Sequence, residues 1–315
     1  MTHIVDIFDI INIGLFAAAL RMATPLVYAS LGGVFSERAG IVNVGLEGMM
    51  LMGAFSGVLT SFYTGNAWLG VLSAVFTGGL FGLLHGVLTV KFAGNQIVSG
   101  TGINLFALGF TAYMSQTIWG SRGASVSVPG IPVVSFQFLK DAVPMVGDAL
   151  GTLLSQSPLV YMMFFVVVLS YVVLFKTPFG LRIRAVGEHP AAADTAGINV
   201  YRTKYLCLLA SGMLAGLGGV FLSLGTLSLF VLGMTGGRGF IALAAMILGR
   251  WKPFGALAAS LMFGILYALQ IGLQSRGWFP SQLILATPYI LTVVVLAVFV
   301  RKAKAPSDYK PYEKE

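Results

Sequence analysis

Asn43 and Glu47 stand four residues apart inside IVNVGLEGMMLMGAF, a run otherwise apolar enough for lipid. That spacing puts both side chains on one face of a helix. A second polar group, Asn95, Gln96, Ser99 and Asn104, opens a later apolar stretch, and Gln96 and Ser99 again share a face. Amides and hydroxyls offer donors and acceptors together, which suits a hydroxyl-rich solute such as a sugar or the ribose of a nucleoside. A central charge costs about 2.5–3.5 kcal/mol on insertion scales, so such groups are kept for a reason. One reason is a polar route across the membrane. The other is structural: polar side chains tie transmembrane helices together, and Gly45 and Gly48, flanking Glu47, predict a broken helix there. Asn95 and Gln96 lie at a helix start and also fit N-terminal caps.

Other chemistries find little support. Cys207 is the only cysteine, and His3, His85 and His189 are scattered without HExxH or comparable ligand spacing, so no metal site is expected. Paired carboxylates for acid–base work are missing from the apolar runs. No GxxxxGK[ST] loop occurs; the glycine-rich GMTGGRG at 233–239 lacks that tail and reads as a bend. Tyr113 and Trp119 suit interface anchoring better than base stacking. Arg21, inside the first apolar run, either pairs with a carboxylate or snorkels.

The elements that carry these residues follow from composition. Of 315 residues, 57% are hydrophobic and 10% charged, and mean hydropathy is +0.88, whereas soluble domains carry about 25% charged residues. The chain reads as an all-α, polytopic membrane protein of about nine spans, within a range of eight to ten. They fall near 10–35, 41–62, 67–90, 95–119, 158–176, 201–223, 237–249, 254–273 and 282–300. The seventh is short for a full crossing and reads as a half-helix or a tilted span. Gly78, Gly82 and Gly86, and Gly212 with Gly216, recur every four residues and leave helix faces open to close backbone contact.

Fourteen Lys and Arg residues fall on one side of these spans and three on the other, which predicts a cytoplasmic C-terminus and, with nine spans, an external N-terminus. MTHIVDIFDI lacks the basic start and small-residue cleavage site of a secretory signal, so the first apolar helix is expected to stay as an anchor. One domain, 1–315, is expected, with an outer loop at 120–157, an inner loop at 177–200 and a cytoplasmic tail at 301–315. The basic residues form no patch interleaved with aromatics, so nucleic acid is not an expected partner.

In the inner loop, TPFGLRIRAVGEHPAAADTAGINV, Thr177–Gly180 breaks the preceding span. His189-Pro190 then starts a short helix through Ala191, Ala192, Ala193 and Asp194, ended by Gly197. A helix of about two turns is marginal alone and needs a partner surface.

The alanine pair followed by Gly197 resembles the pattern of ABC importer permeases. SERAGIVNVGLEGMMLMGAF, GNQIVSGTGINLFALG, TPFGLRIRAVGEHPAAADTAGINVYRTKYLCLLASGMLAGLGG and GRGFIALAAMILGRWKPFGAL together resemble the branched-chain amino acid and ribose type, and the first block is most similar to its nucleoside and simple-sugar branch. The resemblance implies a non-catalytic subunit of the bacterial cytoplasmic membrane that passes nucleosides inward. Its short inner helix would dock into an ATPase subunit, which would bind ATP and Mg. A second, homologous or identical permease and an extracytoplasmic substrate-binding lipoprotein would complete the assembly. Sugars or branched-chain amino acids are the alternative substrates. A stand-alone ion-coupled transporter, with Glu47 as the coupling carboxylate, is the alternative from another class.

Overall fold

A computed structural model describes residues 13–136 and 147–274, with single helical positions at 282, 286, 290, 293, 294 and 297. Eleven helices order this part: α1 Ile13–Arg38, α2 Leu46–Thr64, α3 Ala67–Gly86, α4 Gln96–Trp119, α5 Gly147–Leu154, α6 Pro158–Lys176, α7 Pro178–Glu188, α8 Pro190–Thr195, α9 Val200–Leu222, α10 Arg238–Leu248 and α11 Pro253–Gln274. The helices α3 and α9 each run on into a π-helical turn, Val87–Lys91 and Ser223–Leu227. Among the described residues there is no β-strand, only the isolated bridges Ala124–Val231 and Val134–Gln156.

Among the described residues, six helices are long and apolar enough to cross a membrane: α1, α4, α6 and α11, and α3 and α9 with their π-helical turns. The remaining three expected spans fare differently. The helix α2, with Glu47 in its first turn, has 19 residues but is not among the six. At 11 residues, α10 is about 16 Å long by helical rise, half a bilayer. The stretch 282–300 lies outside the described residues apart from its isolated helical positions.

The core is organised around α9. The two glycine series expected to line bare helix faces meet each other: a Cβ added at Gly78 would collide with the Gly212 carbonyl, and one at Gly82 with that of Leu208. On its other sides α9 takes α2 at Gly53, where a Cβ would lie 2.6 Å from the Gly216 Cα, and α1 at Gly32, where it would lie 2.6 Å from the Ser211 oxygen. Without apolar solvent contrast in lipid, such backbone-close packing is what holds spans together. In the 18-residue apolar stretch of each helix, 67% of α9 is buried, against 22% of α4.

At one end, the described part of the outer loop lies on the segment after α9: Ser125 N donates to Phe230 O at 2.9 Å and Val128 N to Ser228 O at 2.8 Å. At the other end, α1 closes on the turn between α10 and α11. There the Trp251 Nε1 donates to Glu37 Oε2 at 2.5 Å and Arg38 Nε to the Trp251 carbonyl at 3.0 Å.

The inner loop differs from the expectation in one respect. Thr177 and Pro178 do end α6, but they also start α7: the Thr177 hydroxyl accepts from Gly180 N at 3.2 Å, with Pro178 in the first turn. The short helix itself stands where expected, as Pro190–Thr195, capped by the His189 ring on Ala192 N and followed by Gly197 at φ 80°.

Candidate functional site

A break in the chain joins α1 to α2, and the polar residues gather on it. The left-handed Gly40 (φ 81°) turns the chain out of α1, and Ile41–Gly45 then lies outside any helix before α2 begins at Leu46. Asn43 therefore lies outside the helix and does not share a helical face with Glu47, contrary to the four-residue spacing. Gly40 and Gly45 break the backbone before a helical register is set.

Bare backbone surrounded by lipid costs several kcal/mol per unpaired group, and here side chains from neighbouring helices pair it. Val42 N donates to Gln96 Oε1 at 2.7 Å, and the Val42 carbonyl is met by His85 Nε2 at 3.1 Å. Because a carbonyl only accepts, that ring nitrogen carries the proton, and in the neutral ring Nδ1 accepts from the Ser99 hydroxyl at 2.9 Å. Asn104 spans the α2 start with both ends of its amide: Nδ2 donates to the Val44 carbonyl at 3.0 Å, and Oδ1 accepts from Gly48 N at 2.7 Å. Asn43 turns back on its own chain, accepting from Gly45 N at 3.1 Å and donating to Ser211 Oγ at 2.9 Å.

Glu47 has a different partner. Its Oε1 accepts from Gly237 N at 2.7 Å and its Oε2 from Gly239 N at 2.6 Å. These amides open α10, so the carboxylate neutralises the positive end of a half-length helix. The approach needs glycine: a Cβ at Gly239 would lie 2.5 Å from Glu47 N. Arg238 knits the turn behind it, donating through Nη1 to the Met234 and Thr235 carbonyls at 3.1 Å each and lying 5.3 Å from the Tyr267 ring centre. The glycine-rich 233–239 segment is thus a bend, as expected, with Gly233, Gly236 and Gly237 all at positive φ.

The six polar candidates are brought to one region. Asn95 caps α4 through Ile97 N at 2.9 Å and Val98 N at 3.2 Å. Asn95 and Ser99 also edge a cavity of about 540 Å³ between α3 and α4, whose wall includes Phe81, Phe92 and Phe106. Two members of the cluster escaped the sequence reading: His85 and Ser211, both buried. A histidine inside the apolar LFGLLHGVLTV was the signal for the first; a serine bonded across helices leaves none. Elsewhere, Arg21 finds an amide rather than a carboxylate, Gln156 Oε1 at 3.4 Å. Trp119 packs on Phe55 and Phe62, at 5.7 and 6.0 Å between ring centres, and Tyr113 is exposed.

The polar groups gather at helix breaks, where they pair backbone N–H and carbonyl groups and one another. Residues 15–300 match the family described as branched-chain amino acid transport system / permease component. The chain belongs to this permease family. Among its relatives, the guanosine ABC transporter permease protein NupQ of Bacillus subtilis is 42% identical to this permease, covering 98% of the chain and 99% of its own length. The nucleoside ABC transporter permease protein NupC of Lactococcus lactis is 41% identical over 92% and 93%. A putative glucose ABC transporter permease protein, TsgC13 of Haloferax volcanii, is 37% identical over 83% and 78%. No solved structure matches the permease. Family membership and the six apolar helices make it a multi-pass membrane protein and a non-catalytic transport component.

Proposed function

We propose that this permease carries nucleosides across the bacterial cytoplasmic membrane as one subunit of an ABC importer. The observation that carries the substrate class is its 41–42% identity, over nearly the whole of both chains, to permeases named for guanosine and nucleosides. Lacking a phosphate loop in its 315 residues, the chain draws on a separate ATPase subunit that binds ATP and Mg. A second permease and an external binding lipoprotein complete the importer. Nine spans, with α2, α10 and 282–300 added to the six, place the basic side and the C-terminus in the cytoplasm and the N-terminus outside. Residues Pro190, Ala191, Ala192, Ala193, Asp194 and Gly197 form the element that meets the ATPase.

The route runs beside the broken start of α2. Asn43, Glu47, Gln96 and Asn104 hold the break open against the lipid, and Asn95 and Ser99 border the cavity between α3 and α4. Two helix starts, those of α2 and α10, meet at Glu47, an arrangement that lets one bundle rock against another without unpairing backbone.

Vesicles containing this permease, its partner subunits and the binding protein test the reading. ATP-dependent uptake of labelled guanosine or adenosine is expected. Uptake of glucose or leucine in place of nucleosides would overturn the substrate class, and ion-driven uptake by this chain alone would overturn the subunit role.

A further inference from the structure

Where α10 turns into α11, a cleft of about 420 Å³ opens, lined by Arg250 and Lys252 at one end and by Leu248, Ala258, Ala259 and Met262 along its floor. Among the described residues, neither cationic side chain is hydrogen-bonded or ion-paired, and no acidic residue lines the cleft. The turn is held in an unusual shape. Arg250 and Trp251 are consecutive non-glycine residues in the left-handed region, at φ 54° and 52°. Bonds from the end of α1 fix it there: the buried one from Trp251 Nε1 to Glu37, and those from Arg38 Nε to the Trp251 carbonyl and from Arg38 Nη2 to the Arg250 carbonyl at 3.4 Å. With Trp251 turned inward and buried, Arg250 and Lys252 on either side of it are exposed. The apolar floor continues along α11 through Ala258, Met262 and Ile265, spaced by four and three on one helix face, the first and last of them exposed.

We propose that this cleft binds an anionic phospholipid from the leaflet on the permease's basic side, its phosphate between Arg250 and Lys252 and an acyl chain along Ala258, Met262 and Ile265. Two exposed cations, unpaired among the described residues, at the mouth of an apolar track match a lipid in charge and in polarity along its length, and basic pockets between spans on the basic side are suited to such headgroups. A free anion would leave the apolar floor uncovered. The chain's own C-terminal tail, RKAKAPSDYKPYEKE, is net basic and would be repelled.

Native mass spectrometry of the full chain, purified in mild detergent and offered dioleoylphosphatidylglycerol or dioleoylphosphatidylcholine, provides the test. Wild type is compared with R250Q/K252Q, and with A258L, which narrows the cleft and keeps both charges. The phosphatidylglycerol-bound population is expected to shift down by one lipid in each variant, with phosphatidylcholine retention equal in all three and no displacement by excess inorganic phosphate. Equal phosphatidylglycerol retention in all three proteins would overturn the proposal. So would displacement by phosphate, which marks a free-anion site, or a double variant that keeps its lipid yet loses the ATPase subunit, which marks a protein-docking surface. Should R250Q/K252Q misfold, A258L decides the matter, because Ala258 is exposed on the cleft floor.

Discussion

The carboxylate of Glu47 accepts the backbone amide of Gly239 at 2.6 Å while its other oxygen accepts that of Gly237. The contact joins the broken start of α2 to the start of the half-length α10. Both oxygens work as acceptors, so a glutamine here keeps one bond and turns its NH₂ towards an amide N–H. Hydrogen bonds to a charged group contribute about 1.5–3 kcal/mol each. E47Q is therefore expected to lower thermal stability in detergent by roughly one such bond, and E47A by more, with uptake falling in proportion to folded protein. An E47Q chain that melts like wild type yet transports nothing would make Glu47 a ligand or coupling group rather than a tie.

The other side of that contact is steric. A methyl group at Gly239 would lie 2.5 Å from Glu47 N and 2.6 Å from its Cα, both backbone atoms that cannot swing away. Overpacking of this kind costs typically 1–3 kcal/mol, so G239A is expected to reduce the melting temperature and the yield of folded permease. Gly102 supplies the control, since its Cβ position is open; G102A should match wild type in both measurements. Equal behaviour of the two variants would mean that α2 and α10 do not pack this closely.

Asn104 allows a cleaner separation of hydrogen bonding from bulk. Its amide serves the Val44 carbonyl and Gly48 N at once. Asn104→Leu, nearly the same size, leaves both unpaired at about 1–3 kcal/mol each. Asn104→Asp keeps an acceptor for Gly48 N and sets a negative oxygen against the Val44 carbonyl. Both variants should be destabilised, and hydrogen exchange at Gly48 should accelerate much more in Asn104→Leu than in Asn104→Asp. Matching exchange in the two would remove Asn104 from the role of bridging the break.

These contacts mark where sequence reading stops. The extent of α6 is legible to the residue because Pro158 and Thr177-Pro178 punctuate it at both ends. Asn95 is legible as a cap because capping is local. The glycine registers announce close packing, although not that Gly78 and Gly212 face each other, which depends on how α3 and α9 are brought together. Glu47 and Gly239 are 192 residues apart, and nothing in either neighbourhood names the other. Asn43 lies off the helix that its four-residue spacing to Glu47 predicts, because periodicity assumes a continuous helix and the chain is broken between Gly40 and Gly45. The start of α7 is hidden for a subtler reason: Thr177-Pro178 stops one helix and starts the next, so its stop signal masks its start signal.

The short helix α8 separates two roles that its alanines share in sequence. Ala193 is 4% exposed, packed with Val186 of α7 and Val200 of α9, whereas Ala191 and Ala192 face outward. A bulky cation at 193 would have to enter that small core, so A193R is expected to lower the melting temperature of the isolated chain, whatever α8 docks into. A192R adds its side chain on the exposed face and should leave the melting temperature within about 0.5 kcal/mol of wild type in stability terms. If α8 meets the ATPase, A192R should still cut co-purification of that subunit and ATP-dependent uptake several-fold. The two readouts together decide the role: a stable A192R permease with normal ATPase retention and uptake would show that this face of α8 is not the docking surface.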